Sequence, residues 1–564
     1  MSERLIAVAR GDEPPDLVIA GARVLSVFTR EWLDVDVAVA GGRIAGLGSY
    51  DGGERVEAAG RWLVPGFIDA HVHVESSKLT PAEFARAVVP HGTTAVVTDP
   101  HEMANVLGVP GVEWMLDASE GLPLDVFVMA PSCVPASGFE SPCGSLEPAD
   151  MEAILRHPRA LGVAEMMNFP GVIAGDPEVL ARIVADHVDG HAPGVTGAAL
   201  NAYVAAGIRS DHEATTFEEA LEKRRRGMWV LIREASNARN ERDLLPLVRE
   251  YGPQHCAFCT DDREPDLLFR EGHIDQMCRI AVEEGIAPED ALLMATLHPA
   301  RCHGLLDRGA VAPGLRADLV LLDDLESFAV DRVFKDGRLV ADGGAALPFA
   351  RAAIPERVRR TMNAAPLGTD AFAIPAASER VRVIEIVPGQ LTTHAREETP
   401  PVSGGFVVAD GERDLAKIAV VERHHATGRI GRGLVRGFGL REGAFASTVA
   451  HDAHNVVVVG VADDDMVACV ERLQEIGGGI VVARGGVVRG ELALPVAGLL
   501  SDEPVEDVVE RLESLQAMLR EQGVHDAAPF MTLSFLALSV IPALKITDRG
   551  LVDVERFELV SLAV

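Results

Sequence analysis

The chain has 564 residues, 48% of them hydrophobic but only 5% aromatic, enough for about three domains with largely aliphatic cores. Its 52 Lys and Arg against 85 Asp and Glu give a net charge of −33, which argues against nucleic acid or an anionic membrane as partner. Seven cysteines, odd in number and without framework spacing, read as reduced thiols of a cytoplasmic protein.

The opening MSERLIAVARGDEPP lacks an apolar core long enough for a signal peptide. In residues 16–60, DLVIAGARVLSV, VDVAVAGGRIAGLG and RVEAAGRWLV alternate or run apolar between Gly-rich turns, the pattern of short strands. The same style returns downstream in ADLVLLDD (317–324) and VDRVFKDGRLVADG (330–343). Two separated β segments flanking a long middle predict one small β-sandwich, residues 1–64 plus 306–345, interrupted by an inserted domain.

Residues 65–305 alternate strand and helix patterns. Candidate strands are TTAVVTDP, LDVFVMA, ALGVAEMM, DHVDGHAP, GIRSDH, WVLIREA and HCAFCTDD. Helical patterns such as PAEFARAVVP, PEVLARIVAD, TFEEALEKRRR and ERDLLPLVREY fall between them. This predicts an α/β fold, a (β/α)8 TIM-type barrel. A doubly wound sheet is the alternative, but no Gly-rich phosphate turn follows an early strand. Residues 346–377, rich in Ala and Pro, read as a linker. From 378 to 564 an α+β domain is expected. Its strands are VRVIEIVPGQ, KIAVVERH, NVVVVGV and GGIVVARGGVV, and its helices MVACVERLQEIG and VEDVVERLESLQAMLREQG. The longest apolar stretch, 530–544, is too short to span a bilayer and contains Pro542, so it reads as a core element.

The stretch Trp62–Ser77, WLVPGFIDAHVHVESS, carries the strongest chemical signal. An apolar run leads into Asp69, His71 and His73, and alternation along a strand points the two imidazoles the same way, as a shared metal requires. A His-x-His pair alone means little among 18 histidines. The single Cys256-x-x-Cys259 means less, and strand packing explains it. The polar residues closing successive strands add weight. They are Asp99, His101 and Glu102 (TDPHE), Glu165 (VAEMMN), His191 (DGHAPG), Asp211, His212 and Glu213 (SDHE), and Asp261 and Asp262 (CTDDR). Singly each reads as a cap or turn residue. Together, imidazoles and carboxylates at the carboxyl ends of barrel strands suit zinc, iron or manganese, and a bridging carboxylate allows two ions.

These motifs, in this order, resemble the adenine deaminase family of the amidohydrolase superfamily. So does VERHHATGRIGRGLVRGFGLREGAFASTVAHDAHN (421–455), and the resemblance covers nearly the whole chain. It implies purine salvage chemistry, the hydrolysis of adenine to hypoxanthine and ammonia, on a binuclear manganese or iron centre, with zinc also admissible. One ion would take His71, His73 and Asp261, the second His191 and His212, with Glu165 between them. A further ion near Asp99, His101 and Glu102 is admitted. Many superfamily members bridge through a carboxylated lysine, but no lysine lies between Lys78 and Lys223, which favours Glu165. By the same resemblance Asp261 moves the proton of the attacking water to the departing amine, and His212 also stabilises the transition state. The acid that protonates the ring stays open between Glu102 and Glu213.

In the third domain, His451, Asp452, His454 and Asn455 (HDAHN) are candidates to close over the pocket or touch substrate, against a plain polar-capped turn. The pair His424-His425 is a weaker case of the same kind. A superfamily hydrolase acting on another aminopurine or a cyclic amide is the alternative. A metal-free scaffold fits poorly, because every ligand position is filled. The expected assembly is a cytoplasmic homodimer that takes a small-molecule substrate.

Overall fold

Strands of a closed barrel are largely buried on both faces, and eight segments form parallel strands in the computed structural model, which describes residues 3–368 and 370–564. They are β1 (Phe67–Val72), β2 (Thr93–Thr98), β3 (Asp125–Ala130), β4 (Ala160–Met166), β5 (Val188–Gly190), β6 (Ser210–Asp211), β7 (Trp229–Arg233) and β8 (Cys256–Cys259). The first five share one hydrogen-bonded sheet and the last three another. Backbone bonds close both seams. Asp261 N–H donates to His71 O at 3.0 Å and His73 N–H to Asp261 O at 3.2 Å, joining β8 to β1. Arg209 N–H donates to Val188 O at 3.1 Å, joining β5 to β6. The TIM-type barrel read from strand–helix alternation is therefore present, and its longer strands coincide with apolar runs of the sequence.

The helices between the strands follow their local signals. Pro81–Val88 carries its proline at the first turn, and Phe217–Arg225 is capped by Thr216, whose hydroxyl accepts from Glu219 N–H. PEVLARIVAD departs from its helical pattern, since only Pro177–Leu180 is helical. The Arg182 guanidinium donates to Leu146 O at 2.7 Å and Ser132 O at 3.2 Å, and these bonds draw the chain toward the loop after β3.

The two outer β segments meet through Trp62–Pro65, which pairs antiparallel with Leu319–Leu322, from Trp62 opposite Leu322 to Pro65 opposite Leu319. This joins them into one nine-stranded sheet, whose core includes Ile19, Val24, Val37, Leu63, Leu319 and Phe334. Pro65-Gly66 then passes directly into β1, so the sheet anchors the strand that carries the histidine pair.

The C-terminal region is built on an eight-stranded sheet with Ala416–Val421 and Val456–Gly460 adjacent near its centre. Helix Asp463–Ile476 packs on this sheet, and helix Val505–Glu521 packs both on it and on the barrel helices Pro81–Val88 and Pro265–Arg270. The Ala- and Pro-rich segment before it lies along the domain rather than hanging free. Asn363 N–H donates to Arg423 O at 2.8 Å, and Ala497 N–H to Val358 O at 2.7 Å. The apolar stretch 530–544 holds the buried helix Pro529–Phe535 and faces the open end of the barrel. Among the described residues no helix is long and apolar enough to cross a membrane.

Candidate active site

His71 and His73 emerge at the carboxyl end of β1 with their Nε2 atoms 3.2 Å apart. His73 Nδ1–H donates to Asp99 O at 3.0 Å, which leaves Nε2 as the ligating nitrogen. Asp69, on the same strand, is a strut. It accepts from His71 N–H at 3.2 Å and Thr260 N–H at 3.1 Å, and lies 3.0 Å from His273 Nε2.

Glu165, at the end of β4, stands between the histidines. Its Oε1 is 3.3 Å from His73 Nε2, and its Oε2 is 2.6 Å from His191 Nδ1 and 3.2 Å from His212 Nε2. Asp261, after β8, places Oδ1 3.2 Å from His73 Nε2 and 3.6 Å from His71 Nε2. It does so at φ 54°, a left-handed conformation that aspartate tolerates better than most residues. The His212 ring stacks on His71, with centroids 4.1 Å apart. Two ligand sets result, His71–His73–Asp261 and His71–Glu165–His212, the ligand atoms of each lying within 4.8 Å of one another. His191 is seated by Tyr203, whose hydroxyl accepts from His191 N–H at 3.0 Å and donates to Met166 O at 2.9 Å.

The field in this pocket favours cations. Burial works against charge on His212, yet the Glu165, Asp261 and Glu213 carboxylates outweigh it and push its pKa up to about 9. Burial likewise opposes charge on Glu165 and Asp261. For Glu165 the His191 and His212 contacts win, for Asp261 the His73 hydrogen bond and the Arg233 charge, and both carboxyls are held well below their usual range. Imidazoles set among ionised carboxylates are the donor set of a divalent ion, which would take the place of the protons that these carboxylates otherwise favour on the rings, so these residues fit a metal pair.

Glu213, one of the two candidate ring acids, is engaged by an arginine. Arg233, closing β7, binds its carboxylate with two guanidinium nitrogens and donates to Asp261 Oδ2 at 3.0 Å. Burial raises the Glu213 pKa, but Arg233, His191 and His212 lower it further, so the group is held ionised. Glu102 is the other candidate. Its Oε1 accepts from the Ser76 hydroxyl at 3.0 Å, and its Oε2 lies 3.6 Å from His454 Nε2, in a neighbouring cluster.

That cluster joins the barrel to the third domain. His101 Nδ1 lies 3.1 Å from Asp99 Oδ2, and its Nε2 3.6 Å from Asp452 Oδ1. His451, Asp452 and His101 form one possible ligand triad, and Glu102, His451 and His454 another. Asp99 Oδ1, Glu102 Oε2, His451 Nε2, Asp452 Oδ2 and His454 Nε2 are buried without a hydrogen-bond partner. Burial, and next the Glu102 charge, push the Glu75 carboxyl up to about 8. Asn455 stands apart as a strut. It accepts from Arg423 N–H at 3.1 Å and donates to Ser141 O at 3.1 Å, while the Arg423 side chain holds His454 O and Ala497 O. His424 and His425 end on backbone carbonyls, those of Ala453 and Pro142.

A small cavity separates the ligand set from a roof supplied by the third domain. Leu391, His451, Asp452, Phe535, Leu538 and Ile541 face His73, His101, Glu165, His191, His212, Glu213, Arg233, Asp261 and Asp262 across it. His451 lies flat on Phe535 with ring centroids 4.4 Å apart. Sequence reasoning passed over Glu75, Arg233 and Tyr203, and took the roof segment for core alone. Arg233 had a usable signal, since it closes a barrel strand as the other site residues do.

Residues 62–340 match the amidohydrolase family, and residues 390–558 the adenine deaminase C-terminal domain. The adenine deaminase of Desulfatibacillum aliphaticivorans is 49% identical over 567 aligned residues, covering 100% of both chains. Adenine deaminase 2 of Carboxydothermus hydrogenoformans is 47% identical over 99% of both, and the adenine deaminase of Methylobacterium nodulans 49% over 99% of both. Solved structures are more distant. N-isopropylammelide isopropylaminohydrolase from Burkholderia multivorans is 19% identical with a TM-score of 0.45, over 59% of this chain and 99% of that one. The chain belongs to the adenine deaminase family of the amidohydrolases.

Proposed function

We propose that this chain hydrolyses adenine to hypoxanthine and ammonia, with two divalent ions, manganese or iron, held by His71, His73, Glu165, His191, His212 and Asp261. The observation that carries the metal reading is Glu165, whose two oxygens reach His73 on one side and His191 and His212 on the other. The full-length likeness to curated adenine deaminases supports the substrate. Ions bound there would supply Lewis acidity, which brings the pKa of water from 15.7 toward about 7.

The protein's own groups do the rest. Asp261 accepts a proton of the attacking water and delivers it to the amine as ammonia leaves, while the other proton of that water ends on the ring nitrogen, so adenine and water balance hypoxanthine and ammonia. Arg233 occupies Oδ2 of Asp261 and leaves Oδ1 turned to His71 and His73. The roof residues Phe535, Leu538 and Ile541 exclude bulk water and offer an apolar surface to a flat heteroaromatic ring. The adjoining cluster of His101, Glu102, His451, Asp452 and His454 is the place for a further ion. Its five unpartnered buried atoms, those of Asp99 included, support that reading.

The test is ammonia release from a panel of purines and cyclic amides, with metal analysis on the same preparation. Adenine turnover with at least two ions per chain is the expected result. Two ions without adenine turnover would move the substrate elsewhere in the superfamily, and a metal-free chain would overturn the centre.

A further inference from the structure

Lys545 lies on strand Leu544–Thr547 of the third domain and is fully buried. Its Nζ donates to Leu391 O at 2.7 Å and to Phe535 O at 3.0 Å. Leu391 and Phe535 are both walls of the cavity, and they come from segments more than a hundred residues apart. Among the described residues no carboxylate pairs with this ammonium, and no other donor reaches Leu391 O. Nearby, Thr393 N–H donates to Pro542 O at 2.9 Å and its hydroxyl to Leu544 O at 2.8 Å, which brings the Leu391 loop against the same strand.

We propose that Lys545 is a positioning residue for the substrate pocket, its ammonium tying the Leu391 loop to the Phe535 helix and so setting the roof above the ligand set. Burial alone pulls its pKa down to about 7, so this polar amine is buried at a cost that a methionine of similar shape would not carry. A purely structural site of this kind would favour the apolar residue. Two carbonyls captured by one donor give the lysine a use that packing does not. Leu391, Phe535, Leu538 and Ile541 share one small apolar cluster, so a shift of the loop is felt across the roof. The inference rests on the proposed adenine reaction for its substrate only.

The test is Lys545→Met in the full, metal-loaded chain. The expected result has four parts. Metal content at saturating metal equals that of the wild type, and the chain still folds cooperatively. KM for adenine rises about tenfold while kcat stays within about threefold, the pattern of lost substrate binding. The backbone amides of residues 387–392 lose protection from hydrogen exchange. An unchanged KM with unchanged protection would overturn the proposal, as would loss of metal with an unaltered KM. Should Lys545→Met not fold, Lys545→Gln, which keeps a donor on a shorter arm, is put to the same readouts. If the wild type does not turn over adenine, the reaction assignment fails by itself, and hydrogen exchange still decides the role of Lys545.

Discussion

Tyr203→Phe isolates one hydroxyl that seats half of the ligand set. Tyr203 is fully buried, and its oxygen both accepts from His191 N–H and donates to Met166 O, so it links the ends of β5 and β4. Phenylalanine keeps the ring and its packing but leaves a buried donor and a buried acceptor unmet. At about 1–1.5 kcal/mol for each, the variant should lose about 2–3 kcal/mol of stability. The site should feel more than this. His191 is itself a proposed ligand, and Met166 follows Glu165, so both β-strand ends would relax where the second ion is held. Groups that orient ligands typically govern affinity by about 10- to 100-fold, and a loss of metal affinity in that range is expected. Three assays check it: denaturant unfolding of the metal-free chain, metal titration, and kcat at saturating metal. The expected outcome is lower stability, weaker binding of one metal equivalent, and partial recovery of kcat with added metal. Unchanged metal affinity in a destabilised variant would refute the coupling from Tyr203 to the centre. Unchanged stability would refute the energetic argument itself.

Three further outcomes follow from the same geometry. His71→Ala and Glu165→Ala should abolish turnover and lower metal content, and Asp261→Ala should abolish it even when metal-replete; a near-normal rate in that last variant would defeat the proton role. Arg233→Met breaks a buried ion pair and should cost about 3–5 kcal/mol at neutral pH, measured by urea unfolding of metal-free protein. Asp261 and Glu213 have depressed folded pKa values, so the stability they contribute is present above their ordinary values of 3.8 and 4.5 and lost as pH falls through the lower folded ones. The gap between wild type and Arg233→Met should therefore be widest near pH 7 and close in acid; a constant gap would contradict the pairing. His454→Ala should remove one metal equivalent beyond the first two, and unaltered stoichiometry would leave the HDAHN cluster without an ion.

The barrel was legible because its chemistry is repeated. A strand covered on both faces is mostly apolar, so polar residues gather toward its carboxyl end, where the pocket begins, although Asp69 shows that a buried strut can also sit mid-strand. That pattern drew attention to His71, His73, Glu165, His191, His212 and Asp261 among the strand-end residues, the family resemblance singled them out as ligands, and the structure brings all six together. Residues whose meaning lies in a distant partner were not legible. Arg233 looks like any basic strand end until Glu213 and Asp261 converge on it. That Glu213 faces this arginine was hidden for the same reason. The HDAHN turn divides in the same way. His451, Asp452 and His454 face the barrel, whereas Asn455 ties Arg423 to the loop at Ser141, and nothing in the tetrad's spelling separates them. The stretch 530–544 was readable as buried, but a sequence does not say which surface a buried segment covers.

Two requirements meet at the mouth of the barrel, and the third domain satisfies both. Glu165, Glu213, Asp261 and Asp452 bring carboxylates into a nearly closed space in which Arg233 is the permanently charged cation. Left open to water, such a set would bind ions weakly, since solvent screens each contact. Covered by Phe535, Leu538 and Ile541, it becomes a low-dielectric site, where every unneutralised charge is expensive and every bound cation correspondingly favoured. Closure and metal binding are then two faces of one equilibrium: the roof raises the affinity of the ions, and the ions offset the cost of placing carboxylates beneath an apolar roof. The same roof is what a planar, weakly polar ring needs on the side away from the ions. A domain that does both must be held at a fixed height over the ligands. This explains why a chain that could have filled the position of Lys545 with an apolar side chain keeps a buried ammonium there, bonded to the two segments that form the roof.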